Sequence, residues 1–121
     1  MKLPLTFILL LLFPGLPAYA GVADVIEVEV KKLNTDTYRF DVTLSHNDTG
    51  WDHYADKWDV VGPDGTVFGT RTLYHPHVQE QPFTRSLSGV RIPKGVNKVT
   101  IRAHDSVHKY GGKVVEVVLP P

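Results

Sequence analysis

Apolar and polar residues alternate along most of this chain. Residues 38–45 read Tyr-Arg-Phe-Asp-Val-Thr-Leu-Ser, and the same period of two recurs at 26–31, 99–103 and 115–119. A period of two places one row of side chains on a core and the other row in water, as in antiparallel strands with one exposed face. No segment shows the 3.6-residue period of an amphipathic helix, so the pattern predicts an all-β fold.

Turn-forming residues separate the alternating runs and divide the chain into seven predicted strands. The turns include Gly-Pro-Asp-Gly at 62–65 and Pro-Lys-Gly at 93–95. Seven short strands with a turn every 8–12 residues or so predict a seven-stranded antiparallel immunoglobulin-like β-sandwich. The predicted strands are residues 24–32, 37–46, 55–61, 66–74, 83–92, 97–105 and 113–119.

The first part of the chain, residues 1–20, has the pattern of a cleavable secretory signal peptide. A positive charge near the start is followed by an apolar run at 7–13 and by Ala-Tyr-Ala at 18–20, which places small residues before a cleavage site at Gly21. The apolar run is shorter than the roughly 20 residues that a membrane-spanning helix needs. We therefore predict a mature single domain, residues 21–121, that is periplasmic or secreted and has no membrane span.

Composition and charge narrow the classes of partner. The chain has 13 Lys and Arg against 13 Asp and Glu, whereas proteins that bind nucleic acid usually carry a clear basic excess. We therefore expect no nucleic-acid partner. Cysteine is absent and Met1 is the sole methionine, so the predicted mature domain has neither a cysteine for a lipid anchor nor a soft sulfur ligand for Cu(I).

Parts of the sequence resemble a known class of exported proteins. The stretch Val-Thr-Ile-Arg-Ala-His-Asp-Ser at 99–106, followed by Gly-Gly and by Val-Glu-Val-Val-Leu at 115–119, resembles the last hairpin of bacterial immunoglobulin-like or fibronectin-type-III-like modules. Residues 46–58 and 75–85 are similar to those of small exported bacterial proteins of this kind. The resemblance implies the sandwich fold and carries no activity, because such sandwiches host many functions.

Three long loops are predicted to meet at one end of the sandwich: residues 46–54, 75–82 and 106–112. We call this end the loop pole. Long loops at the end of a rigid sandwich commonly form binding surfaces. All six histidines lie in or beside these loops: His46, His53, His75, His77, His104 and His108.

This concentration of imidazoles predicts a transition-metal site for Zn²⁺ or Cu²⁺. His75 and His77 are two residues apart, so in an extended backbone both rings project to the same side. His46 or His104 is the predicted third ligand. No spacing matches a known zinc motif, and each histidine also has a structural interpretation. His46 continues the core-facing row of its strand. His104 lies in the outward-facing row, where Asp59 on the neighbouring strand is its expected partner.

Other loop-pole residues are predicted to contact a ligand or a partner. Trp51 is interpreted either as a stacking anchor or as a lid over the core, with the lid favoured. Asp48 and Asp52 form an acidic turn with the ligand type for Ca²⁺ but without EF-hand spacing. The full predicted set is Trp51, Asp52, His53, Tyr54, Glu80, His108 and Tyr110.

The sequence predicts a binding domain rather than an enzyme. No cysteine nucleophile exists, and no serine lies in a nucleophile-elbow context. The leading hypothesis is an exported β-sandwich whose loop pole binds a metal ion or small ligand. The alternative is a protein-interaction module that binds an exported protein partner through the same loops without metal.

Overall fold

A computed structural model describes residues 21–121, so the predicted signal peptide lies outside the described residues. Each strand bound lies within two residues of its predicted position. Residues 21–121 include no helix long and apolar enough to cross a membrane. The strands are β1 (Asp24–Lys32), β2 (Thr37–Ser45), β3 (Ala55–Val61), β4 (Val67–Thr72), β5 (Phe83–Arg91), β6 (Lys98–Asp105) and β7 (Val115–Val118).

The seven strands form two antiparallel sheets, in the orders β1-β2-β5 and β4-β3-β6-β7. This arrangement confirms the predicted all-β, seven-stranded antiparallel sandwich. Strand β4 pairs with β3, whereas in constant-type immunoglobulin domains the fourth strand joins the sheet of the first, second and fifth. The immunoglobulin-like class itself stays a prediction.

The core lies between the sheets and follows the alternation in the sequence. Phe40, Val42 and Leu44 of β2 are fully buried, and Trp58 of β3 is the largest buried side chain. Ile101 of β6 packs in the same cluster. Because successive side chains of a strand point to opposite faces, the apolar row of each strand reaches the core.

Strand direction brings the start of β1 to the loop pole as well. Strand β1 runs antiparallel to β2 and pairs Asp24 with Ser45, so the residues just before β1 lie beside the end of β2. Gly112 permits the last loop to pass close by, since a Cβ on Gly112 would lie 1.9 Å from the carbonyl oxygen of Ala23. Four segments of the chain therefore meet at this pole.

Trp58 provides a test of the core. We expect Trp58→Ala to lower the free energy of unfolding by about 3–5 kcal/mol, because the deleted indole leaves a cavity. Trp58→Phe should cost less than half as much, since the indole Nε1 makes no hydrogen bond within the described residues. Urea unfolding of the two variants compares these losses. Equal losses would contradict the close packing of Trp58 in the core.

Candidate functional site

Three side chains at the loop pole form the candidate site. Within residues 21–121, one group of side chains has the geometry to hold a metal ion, because its ligand atoms all lie within 4.8 Å of one another. The group consists of His46, His53 and Asp105. We call this set the His–Asp cluster. His46 follows β2, His53 lies in the first loop, and Asp105 ends β6. Both sheets therefore contribute to the cluster.

His46 lies between two carboxylates. Its Nδ1–H donates to Asp48 and its Nε2–H donates to Asp105, and all three side chains are inaccessible to solvent. Because both ring nitrogens donate to carboxylates, the imidazole is the charged, doubly protonated form. Burial favours the neutral ring, but the hydrogen bonds to Asp48 and Asp105 outweigh burial and raise the pKa of His46.

Asp48 links the first loop to the second. Its Oδ1 accepts the backbone N–H of Ala55 at 3.1 Å as well as His46 Nδ1–H, and its Oδ2 accepts the N–H of His77 at 2.6 Å. Burial raises the pKa of Asp48, but these three hydrogen bonds outweigh it, so the pKa is lowered and the carboxylate stays charged. Asp48 therefore fixes the orientation of the His46 ring.

Asp105 uses its two oxygens differently. Its Oδ1 accepts the backbone N–H groups of Val107 and His108, both at 2.6 Å, and so holds the third loop in its turn. Its Oδ2 accepts His46 Nε2–H and also His53 Nε2–H, the latter at 2.7 Å. Burial raises the pKa of Asp105, but the backbone donors and His46 outweigh it and lower the pKa.

The cluster is sealed at His46 and opens toward solvent at His53 and His108. The side chains of these two residues are 21% and 46% exposed, and their ring centroids are 5.0 Å apart. The carbonyl oxygen of Gly21 accepts from both rings, at 3.2 Å from His53 Nε2 and 2.7 Å from His108 Nδ1. An ion or small ligand would reach the cluster from this side.

The predicted pair His75 and His77 lies elsewhere at the pole. Their ring centroids are 5.6 Å apart, but His75 is exposed whereas His77 is buried and stacks on Phe83 at 3.9 Å. His77 Nε2 accepts from the Arg85 guanidinium at 2.9 Å. Burial and the Arg85 charge lower the pKa of His77. The structure thus groups His46 with His53 and Asp105 rather than with this pair.

His104 and Tyr110 lie on the outer face of the four-stranded sheet. His104 Nδ1–H donates to Asp56 at 2.6 Å, so its partner on the neighbouring strand is Asp56 rather than Asp59. Tyr110 donates its hydroxyl to Asp59 at 2.6 Å and lies under the Arg102 guanidinium. Neither His104 nor Tyr110 belongs to the His–Asp cluster.

The remaining predicted residues line the rim of the pole. Trp51 is 67% exposed and packs edge-on against Tyr54, so the interpretation of Trp51 as a lid over the core is wrong. Glu80 accepts from Arg85 at 3.1 Å. Asp52 is exposed whereas Asp48 is buried with both oxygens hydrogen-bonded, so the acidic turn does not present its two carboxylates together.

The predicted site set omitted Asp105 and Gly21, although the sequence contains a signal for Asp105. Ile101, Ala103 and Asp105 occupy the same buried row of β6. A carboxylate that continues an apolar row must find hydrogen-bond partners inside, because burying an unpaired charge is costly. His46, just after β2, likewise continues the buried row of that strand, which includes Leu44.

The chain is similar to a protein of known sequence but to no solved structure. No family model matches the chain, and no solved structure matches it. The chain is 40% identical over 95 residues to a protein of Halomicrobium mukohataei named "Putative lipoprotein". The aligned region covers 78% of this chain and 46% of that protein, so the chain spans about half the length of this relative.

Replacing Asp48 tests its structural role. We expect Asp48→Asn to lower the free energy of unfolding in the presence of EDTA by about 3–5 kcal/mol, because it leaves the buried His46 charge without one of its two partners. The matched control is Asp52→Asn in the same loop, which removes an exposed carboxylate and should change stability by less than about 0.5 kcal/mol. Similar losses in the two variants would refute the role assigned to Asp48.

Asp59 predicts an acid-dependent contribution to stability. Burial raises its pKa, but hydrogen bonds from Tyr110, Thr70 and Arg102 outweigh burial and lower it below the ordinary value of 3.8. The stabilisation is therefore present above that value and is lost as the pH falls through the folded-state pKa. We expect Asp59→Asn to cost about 1–3 kcal/mol at neutral pH and progressively less in acid. Urea unfolding of the unchanged protein and of Asp59→Asn, from neutral pH into acid, measures the difference in their free energies of unfolding. A difference that stays constant with pH would contradict the role assigned to Asp59.

Proposed function

We propose that residues 21–121 form an exported domain that binds one divalent transition-metal ion at the His–Asp cluster. The ligands are His46 Nε2, His53 Nε2 and Asp105 Oδ2. The observation that carries the proposal is the convergence of these three ligand atoms within 4.8 Å at a pole that opens to solvent. Two imidazoles and one carboxylate suit Zn²⁺ or Cu²⁺, whereas Ca²⁺ prefers an all-oxygen shell.

The charge of the buried groups supports a divalent ion. Without metal, the formal charges of the His46 imidazolium and of the Asp48 and Asp105 carboxylates add up to −1. When a divalent ion replaces the Nε2 proton, His46 becomes neutral. The formal charges of the three side chains and the ion then add up to zero. Neutrality matters here because an uncompensated charge inside a protein is costly.

Hydrogen bonding outside the ligand set supports the same geometry. Metal-binding histidines usually donate their second ring N–H to a carboxylate or carbonyl, which fixes the tautomer and the ring orientation. His46 Nδ1–H donates to Asp48, which is itself held by the backbone of Ala55 and His77. This arrangement leaves His46 Nε2 as the nitrogen directed at the cluster.

Export is supported by two independent observations. Residues 1–20 carry the signal-peptide pattern, and the relative from Halomicrobium mukohataei bears the name "Putative lipoprotein". The two packed antiparallel sheets of seven strands and the sequence resemblance together support an immunoglobulin-like or fibronectin-type-III-like classification of the sandwich.

A second candidate function, capture of an exported protein partner, is favoured by exposed apolar side chains at the same pole. Trp51 and Tyr74 are 67% and 74% exposed, and Val78 and Val107 are each about half exposed. Aromatic residues are enriched in the centres of protein interfaces. Under this function Trp51→Ala would weaken partner binding and leave metal affinity unchanged.

Metal titration of the mature protein tests the first proposal. We expect metal-free protein to bind one equivalent of Zn²⁺ or Cu²⁺ in calorimetric titration at neutral pH. His53→Ala should weaken binding at least about tenfold, because it removes a ligand at the accessible side of the cluster. His75→Ala is the matched control, since it removes an exposed histidine outside the cluster and should leave affinity unchanged.

Two results would contradict this ligand set. Absence of stoichiometric uptake would exclude a metal function at this pole. Uptake that survives His53→Ala but is lost in His75→Ala would instead assign the ion to the pair predicted from sequence, His75 and His77.

A further inference from the structure

We propose that Gly21, once freed as the amino terminus, completes the metal site with its α-amine nitrogen and its carbonyl oxygen. This inference rests on the proposed metal binding at the His–Asp cluster and on cleavage of the chain before Gly21. It makes removal of residues 1–20 a step in building the site, so that the exported protein binds metal more tightly than its precursor.

The contacts of Gly21 place it beside the proposed ion. His53 Nε2–H donates both to Asp105 Oδ2, at 2.7 Å, and to the Gly21 carbonyl oxygen, at 3.2 Å. A metal ion that replaces this proton lies on the same side of the ring and faces the same two oxygens. The Gly21 carbonyl is therefore positioned as a ligand by the hydrogen bond that it already accepts.

The chain immediately after Gly21 is anchored, so this position is determined by the fold. Ala23 is buried in the core, and the Val25 N–H donates to the Lys113 carbonyl at 2.9 Å. Asp24 pairs with Ser45, and its carboxylate accepts the N–H of Lys113 at 2.7 Å. Only Val22 separates Gly21 from this anchored segment, which keeps the terminus at the loop pole.

The identity of the residue matters because a side chain at position 21 would meet the His108 ring. A Cβ on Gly21 would lie 2.9 Å from Cε1 of the His108 ring and 3.1 Å from both of its nitrogens. Any larger residue would force the His108 ring away from the carbonyl oxygen that it contacts. Glycine therefore permits the close approach of the terminus to the imidazoles.

Cleavage changes the chemistry of the Gly21 nitrogen. In the precursor this nitrogen belongs to the Ala20–Gly21 peptide bond, and its lone pair is delocalised into the carbonyl, so it is not a ligand. Hydrolysis of that bond consumes one water and yields the Ala20 carboxylate and the Gly21 ammonium. A free α-amine, unlike the amide, binds a metal ion through its nitrogen lone pair when the ion displaces its proton. The amine and carbonyl of one residue then close a five-membered ring with the ion.

Three forms of the protein test this inference. The first begins at Gly21 with a free amine, the second carries an acetyl group on the Gly21 nitrogen, and the third is the free-amine form with one serine added after Pro121. Acetylation restores an amide at Gly21 without changing any side chain. The serine extension is the control for a change at a terminus remote from the site.

The measurement is Zn²⁺ and Cu²⁺ affinity by competition titration near pH 7.5, with thermal unfolding in EDTA as a check of folding. We expect the acetylated form to bind at least about tenfold more weakly than the other two forms, because it loses a linked donor. In the free-amine form, ¹⁵N labelling of Gly21 should alter the electron paramagnetic resonance spectrum of bound Cu²⁺.

The outcomes separate the two proposals. Equal affinities in all three forms, with no effect of the ¹⁵N label, would overturn the role of Gly21 and leave the His–Asp cluster as the metal site. Absence of stoichiometric binding in every form would overturn the proposed function and this inference with it.

Discussion

The buried imidazole of His46, with one carboxylate at each ring nitrogen, is the interaction on which the loop pole depends. Burying two carboxylates is costly unless each of them accepts several hydrogen bonds. Asp48 and Asp105 accept theirs from His46, from the backbone N–H of Ala55 at the start of β3, and from backbone N–H groups of the second and third loops. Because the donors belong to the backbone, satisfying these charges also determines the course of the loops.

The same arrangement gives the pole a closed side and an open side. His46 and both carboxylates are inaccessible, whereas His53 and His108 contact solvent. For the proposed metal site, a ligand set that is rigid on one side and accessible on the other would hold its geometry before an ion binds. The start of β1 enters from the open side, which is why Gly21 is next to the imidazoles.

Much of the fold could be predicted from the sequence because strand formation follows a local period of two. The rows of β2 and β6 identify their buried residues directly, and Gly and Pro mark the turns between strands. The assignment of β4 to the sheet of β3 could not be predicted in the same way. Strand β4 reads Val-Phe-Gly-Thr-Arg-Thr and has no buried row that would assign it to one sheet, so only packing against the rest of the molecule decides between them.

The sequence by itself determined the strands and the core rows, since these follow from local periodicity. Only the tertiary structure decided which histidines meet. His46 and Asp105 are 59 positions apart and come into contact because the two sheets pack face to face. His77, predicted as a ligand with His75, instead stacks on Phe83 and accepts from Arg85. The direction of each side chain and the contacts across the sandwich determine which residues pair. Neither can be read from the spacing of residues along the chain.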